Sequence, residues 1–472
     1  MFAKLFRPVD FAWLAAFRVF YGGALTISML RFLAYGWIDK LFVQPTFFFK
    51  FWGFEWVEPL PGPYFHALFW VLAFCAFSVA VGFAFRVTSV VFAAGLTYIQ
   101  LIDVSNYLNH YYLAALVAWL LAISPANRAY SVDAWLRRRF LGKETNETIA
   151  AGWLYLFRFQ IGTVYTFAGL AKAGSDWLLH GQPLRIWLGA KTDLPILGPL
   201  FTLDFVPVVM SWCGFLFDTT IVWWLLWRKS RPYAYAVVIF FHVMTRLLFP
   251  IGMFPIIMVL SALVFFSPSW PRNVKARLVS LWAKLRGRSV AIAKEVEARV
   301  VEPSLPSKEP SLFHRAFAVV AILYCAFQLL MPMRYLAYGG NILWHEQGMR
   351  FSWRVMLRAK GGQTTYIVRN VNTGQEWHVS PREYLNGWQE SEMSSQPDLI
   401  LQLAHRIHRD FELRGLGPVE VRVDSRVSLN GRRSVPFIDP EVNLAQVRDG
   451  LGRANWVLPP PTEDPPHTRP VL

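Results

Sequence analysis

Arg18, Arg31, Asp103, His110, Arg158, Lys172, Asp218, His242 and Arg246 each interrupt a run of otherwise apolar residues. An ionisable group at the centre of a bilayer costs about 2.5–3.5 kcal/mol on insertion scales, so it persists there with a partner or a purpose. One such residue alone reads as structural, either snorkelling to the interface or bonding a carbonyl. Several on different helices imply a shared polar cavity. Lys172 ends one apolar run, His110 begins another at the same expected side, and Asp176-Trp177 lie in the loop after Lys172. The cavity is therefore expected to open on that side. His242 and Arg246 share a helix face at i,i+4, and a structural pair of His242 with Asp218 stands as an equal alternative to a direct role.

The elements that must position these residues are membrane helices. The chain has 472 residues, is 54% hydrophobic and 16% aromatic, and its mean hydropathy of +0.32 exceeds what one soluble core requires. Apolar stretches of bilayer-spanning length are expected at 11–35, 64–85, 87–107, 110–124, 152–172, 205–227, 233–249, 251–267 and 313–336, giving an all-α polytopic protein of about nine spans. Arg18 interrupts the first run, which reads as an uncleaved span rather than a signal peptide. Lys4, Arg7, Arg86, Arg128, Arg137 to Arg139, Lys143, Arg228, Lys229, Arg231 and the basic run from Arg272 to Arg315 all fall on one side of this alternation. Lys40, Lys50, Arg185 and Lys191 fall on the other. Positive charge marks the inner side, so the N-terminus is expected inside and everything after Leu336 outside. The net charge of +16 then belongs to inner loops and to a basic C-terminal domain. Anionic lipid headgroups are the expected partner, and nucleic acid is not.

Cys75, Cys213 and Cys325 all lie in expected spans, so neither a disulfide framework nor a cysteine metal site is expected. His405 and His408 at helical spacing are two potential ligands, too few for a metal. The basic segment 268–312 reads as a surface linker closing a membrane domain of 1–336. Beyond it, alternating runs at Ser352–Arg358, Thr365–Arg369 and Glu376–Val379 predict an antiparallel meander. A helix over 397–413 and a strand from Val419 to Val427 complete an outer α+β domain at 337–457. The proline-rich 458–472 is expected to be disordered.

Taken along the chain, these residues resemble the vitamin K-dependent γ-glutamyl carboxylases and their bacterial relatives with the horizontally transferred transmembrane (HTTM) domain. The resemblance rests on Asp10, Leu14 and Phe17-Arg18; Asn109-His110-Tyr111-Tyr112-Leu113; Tyr130-Ser131-Val132-Asp133; and Arg158, Gln160, Val164-Tyr165, Ala168-Gly169, Lys172 and Asp176-Trp177. It continues through Phe241-His242, Met244, Ile251-Gly252-Met253-Phe254, Ser267-Pro268 and Trp270-Pro271, then Ser352-Trp353, Asp439-Pro440 and Trp456-Val457.

The resemblance implies a reduced vitamin K of menaquinol or phylloquinol type, with O2 and CO2 as co-substrates and no metal. It also implies quinone epoxidation that drives carboxylation of a glutamyl peptide or protein. Lys172 would be the base that takes the phenolic proton, since desolvation favours a neutral amine, and a nearby Arg158 would push the same way. His110 would hydrogen-bond a quinone oxygen. Arg18, Arg158, Asp176, Trp177, Asp218, His242 and Arg246 would line the cavity. Two departures stand out: Ala171 precedes Lys172 where animal members have paired lysines, and those members continue past the end of this chain. Quinone oxygenation is therefore expected more firmly than protein carboxylation. A bacterial inner membrane, with the outer domain in the periplasm, is the expected location. A quinone- or lipid-binding protein without turnover, and a transporter, are the readings from other classes, although the internal repeats usual in transporters are not evident.

Overall fold

The computed structural model describes residues 2–285 and 312–466. Its membrane part is a helical bundle built from α1 (Ala12–Ala34), α2 (Gly62–Val81), α3 (Phe85–Ile102), α4 (Asn109–Ile123), α5 (Val132–Leu141), α6 (Ala151–Leu170), α7 (Val206–Leu226), α8 (Arg231–Leu248), α9 (Phe254–Ser261), α10 (Trp270–Leu285) and α11 (Leu312–Met333). A helix occurs in each expected span, but they are not equally suited to crossing a bilayer. Five have the length and apolarity for it: α1, α2, α3, α7 and the stretch His314–Ala337. A sixth is reached if Phe254–Phe265 and Trp270–Ala283, bent by 96°, count as one span. The shortfall from about nine has local causes: α4 is short, α6 carries Arg158 and Gln160, and α8 carries Arg231 and Arg246. The helical part of the expected linker is α10; 286–311 lies outside the described residues.

One end of the bundle carries the loops α1–α2, α3–α4, α6–α7 and α8–α9, and the C-terminal domain docks on it. Gln389 donates to Asp103 Oδ2 and to the Phe47 carbonyl, each at 2.8 Å, and Trp388 donates to the Ser105 carbonyl at 3.2 Å. The other end gathers the N-terminus, the α2–α3 and α5–α6 loops and the start of α10. There Arg272 bridges Asp10 at 2.6 Å and Glu147 at 2.7 Å, and β1 (Pro8–Asp10) pairs with β2 (Thr148–Ala150).

The docked domain is an antiparallel sheet of β3 (Lys360–Asn370), β4 (Glu376–Val379), β5 (Val419–Leu429) and β6 (Val435–Pro436) in the order β4-β3-β5-β6. Alternate residues Val419, Val421, Val423, Val427 and Leu429 are buried beneath α12 (Pro397–Leu413), which buries Leu399, Leu403, Ile407 and Phe411. Two expectations fail here. Ser352–Arg358 is not a strand: Phe351, Trp353 and Met356 have positive φ, and Trp353 turns into the membrane bundle to stack on Tyr112 at 4.9 Å. The proline-rich segment is not disordered as far as Pro466. Leu458 N donates to the Phe437 carbonyl at 2.9 Å, and Arg432 Nε donates to the Glu463 carbonyl at 2.7 Å, so one backbone and one side-chain hydrogen bond hold it where composition predicted none.

Candidate functional site

Lys172 stands just beyond the end of α6, at the bundle end that faces the C-terminal domain. Gly169, one turn earlier, decides what it meets. A Cβ there would lie 2.7 Å from the Thr219 backbone nitrogen, so only glycine lets α6 approach α7 this closely. The approach brings Lys172 Nζ to 2.8 Å from Asp218 Oδ2 and 3.1 Å from the Ala168 carbonyl oxygen. Both side chains are almost fully buried, at 7% and 8% exposure. Trp177 covers the ammonium, its ring centroid 5.3 Å from Nζ, and is itself fixed by donating to the Ser211 carbonyl at 2.7 Å. Tyr165 and His242 lie within electrostatic reach of Asp218. The Tyr165 hydroxyl is buried without a hydrogen-bond partner.

His242 does not pair with Asp218: its Nδ1 faces the Val238 carbonyl at 2.8 Å. Phe254 packs between it and His110, with ring centroids 6.2 Å and 6.0 Å away. His110 is partly buried, and Gly252 (φ +60°) lies beside its imidazole, where a Cβ would come to 4.0 Å from Nε2, an ordinary contact.

The remaining expected site residues are elsewhere. Arg158 is about 21 Å along the helix axis from Lys172 at 1.5 Å per residue and caps the carbonyls of Val264, Phe265 and Phe266. It therefore cannot act on the lysine. Arg18 is buried at the far end and donates to the Tyr130 carbonyl at 2.6 Å. Arg246 is exposed while His242 is buried, so the pair does not share an inward face. Asp176 belongs to an interdomain tie. Arg432 holds both its oxygens at 2.7 Å, and Asn430 adds a third bond at 2.7 Å. Burial alone would raise this carboxyl, but the bonds from Arg432 and Asn430 outweigh it and hold it below the ordinary value.

A cavity of about 590 Å³ opens between the bundle and the docked domain, within the range of small-molecule clefts; Lys172, Asp218 and His110 do not line it. Its lining is apolar at Trp187, Leu248, Phe249, Ile251 and Leu357 and charged at Lys191, Arg350, Arg354, Arg358, Glu346 and Glu392. Arg350 is held by Asp398 and Arg358 by Glu346, whereas Arg354 lies over the Tyr335 ring at 4.2 Å. Burial raises the Glu392 carboxyl, against the opposing pull of Arg358. Leu248, Phe249 and Leu357, which line the cavity, also pack in one cluster with Trp177 and Ala171, the neighbours of Lys172. The arginines of this lining are not legible from the sequence, because they depend on the irregular Glu346–Arg358 segment. The buried Tyr165 hydroxyl likewise depends on which helices touch.

Two family models match: the HTTM domain over residues 6–270, and the vitamin K-dependent gamma-carboxylase lumenal domain over residues 313–463. The chain belongs to the vitamin K-dependent γ-carboxylase family. No solved structure matches it. As a member of this family it is an integral membrane protein of carboxylase type, and the docked domain is the family's lumenal domain. Among the described residues no group of three or more His, Cys, Asp or Glu is placed to hold a metal. His405 is instead engaged with the carbonyls of Leu444 and Val447 at 3.1 Å and 2.8 Å.

Proposed function

We propose that this protein is a vitamin K-dependent carboxylase-like enzyme that oxygenates a reduced naphthoquinone and uses the product to carboxylate a glutamyl side chain. The observation that carries the reading is the enclosed Lys172–Asp218 pair, whose covering Trp177 packs in one apolar cluster with Leu248, Phe249 and Leu357 of a cavity lined by both apolar and cationic side chains. The apolar lining suits a naphthoquinone ring, and Arg354 and Lys191 suit a carboxylate. The reduced quinone supplies, with O2, the strong base that removes the glutamyl γ-proton, and CO2 becomes the new carboxylate.

The chain's own part is to move one proton and exclude water. A proton on Lys172 Nζ has Asp218 Oδ2 at 2.8 Å as its alternative site, so the pair can present a neutral amine without releasing charge to solvent. Trp177 seals that amine from the lumenal side. His110 Nε2, beside Gly252, is the donor for a quinone oxygen. Arg354, which lies over the Tyr335 ring and hydrogen-bonds that tyrosine rather than a carboxylate, orients the substrate carboxylate.

The positive-inside rule places the Arg-rich far end in the cytoplasm and the lumenal domain outside, which in a bacterial host is the periplasm. A reporter fused at the C-terminus is expected to read outside; a cytoplasmic signal overturns this orientation. The function is tested by supplying purified protein with reduced naphthoquinone and oxygen, with and without labelled CO2 and a glutamyl peptide, and assaying epoxide and carboxylated peptide separately. Epoxide that disappears in Lys172→Met supports the reading; no consumption of hydroquinone by the wild type sinks it.

A further inference from the structure

A second pair of cavities lies at the opposite end of the bundle, away from the lumenal domain and from everything used above. One, of about 360 Å³, is lined by Arg86, Arg128, Arg137 and Lys143 with Asn127 and Asn146; Glu144 is its one carboxylate among the lining residues. The other, also about 360 Å³, shares Arg86, Arg128 and Asn146 with it, and its remaining wall includes Phe6, Ile123, Ile149, Trp153 and Phe317. The shared residues make the two compartments one groove, cationic at one end and apolar at the other.

Two of the cations, Arg86 and Arg137, are positioned by backbone carbonyls rather than by carboxylates. Arg86 Nη1 donates to the Ser124 carbonyl at 3.1 Å, and Arg137 Nη2 donates to the Asn127 carbonyl at 2.6 Å. Of the nearby carboxylates other than Glu144, Asp10 and Glu147 are committed to Arg272, and Asp133 to the Ala84 and Phe85 amides and the Asn127 side chain, so four cations face one lining carboxylate. Asn146 turns its carboxamide oxygen to Thr148, at 2.9 Å from N and 2.8 Å from Oγ1, which leaves its amide N–H groups as donors. The groove is flanked by α5, a basic helix whose Trp135, Phe140 and Leu141 are 61%, 73% and 63% exposed, the composition of a helix lying in a membrane interface.

The geometry points to a binding site for an anionic phospholipid, its phosphate among Arg86, Arg128, Arg137 and Lys143 and the start of an acyl chain against Ile123, Trp153 and Phe317. A zwitterionic headgroup brings its own cation and gains less from this wall, and a free phosphate has nothing to fill the apolar compartment. Binding there is independent of quinone chemistry, so its failure and that of the proposed enzyme activity are separately visible.

The test titrates the full-length protein in neutral detergent with short-chain phosphatidylglycerol, short-chain phosphatidylcholine and inorganic phosphate, reading bound lipid by native mass spectrometry and the thermal midpoint. Arg128→Gln/Lys143→Gln is the principal variant because both side chains are exposed; Phe317→Ser tests the apolar compartment. Removing two headgroup-facing cations is expected to weaken phosphatidylglycerol about thirtyfold, with phosphatidylcholine unchanged. Equal binding of phosphatidylcholine, unchanged phosphatidylglycerol binding in the double variant, or inorganic phosphate binding as tightly as the lipid would overturn the proposal.

Discussion

Four residues apart, at one end of the same helix, two acidic–basic pairs do different work. Lys172–Asp218 joins neighbouring helices inside the bundle, with both partners nearly removed from solvent. Asp176–Arg432 joins the bundle to the lumenal domain with 16% and 10% of its side chains exposed, and a third donor, Asn430, saturates the carboxylate. The inner pair is under-supplied with hydrogen bonds, since a buried carboxylate facing one lysine and an orphaned tyrosine hydroxyl has capacity left over. The inner carboxylate therefore keeps acceptor capacity, whereas the outer one is saturated and holds. The proposed function accordingly gives chemistry to Lys172 and positioning to Asp176, although the sequence presents both as ionisable residues of one loop.

The sharpest way to break this contrast is to remove the lysine. Lys172→Met is expected to abolish epoxide formation, a loss of at least about a hundredfold for a general base. It is also expected to destabilise the bundle by about 3–5 kcal/mol, because Asp218 is left charged and unpaired in an apolar site. Lys172→Met/Asp218→Leu should recover most of that stability while remaining inactive, with thermal midpoint and epoxide yield read on the same preparations. Activity in the double variant would make the pair structural.

The outer tie should behave in the opposite way. Asp176→Asn removes charge-assisted bonds from Arg432 and is expected to cost about 2 kcal/mol, read as faster hydrogen exchange in β5 and in 173–205. Epoxidation should survive, because Lys172 and Asp218 are untouched. A loss of epoxidation equal to that of Lys172→Met would merge the two pairs into one site. A smaller effect is expected across the cavity: Arg354→Gln should raise the KM for a glutamyl peptide about tenfold, worth roughly 1.4 kcal/mol, with hydroquinone consumption unchanged.

The difference between the pairs also marks where sequence reasoning works. Helix α12 is legible at Pro397–Leu413 from its spacing of apolar residues, and β3 and β5 from their alternation, because each buries one face of a regular element. Lys172 and His110 are legible as polar residues that apolar helices tolerate at their ends. What could not be read is anything that depends on which helices touch. Arg158 and Lys172 lie on one run of sequence, yet helical rise separates them. Asp218 meets Lys172 because Gly169 removes a side chain from the α6–α7 contact. The cavity wall from Glu346 to Arg358 alternates like a strand, but the burial of Trp353 against Tyr112 and three positive φ values in Phe351, Trp353 and Met356 override that pattern.

The last prediction uses pH to separate holding from proton transfer. Hydrogen bonds from Arg432 and Asn430 hold the folded Asp176 carboxyl below its ordinary value of 3.8. A carboxyl with a depressed folded value stabilises the native state wherever it is ionised in both states, and loses that contribution as pH falls through the folded value. The stability gap between wild type and Asp176→Asn should thus be full at pH 6 and shrink below 3.8, because protonation turns the wild-type carboxyl into a neutral group like the amide. Scanning fluorimetry of both proteins from pH 6 to pH 3 gives that gap directly, and other carboxylates that titrate in the same range cancel in the difference. A gap that stays constant to pH 3 would mean that the charge of Asp176 contributes nothing to the tie, leaving geometry alone to hold the lumenal domain over the Lys172 end of the bundle.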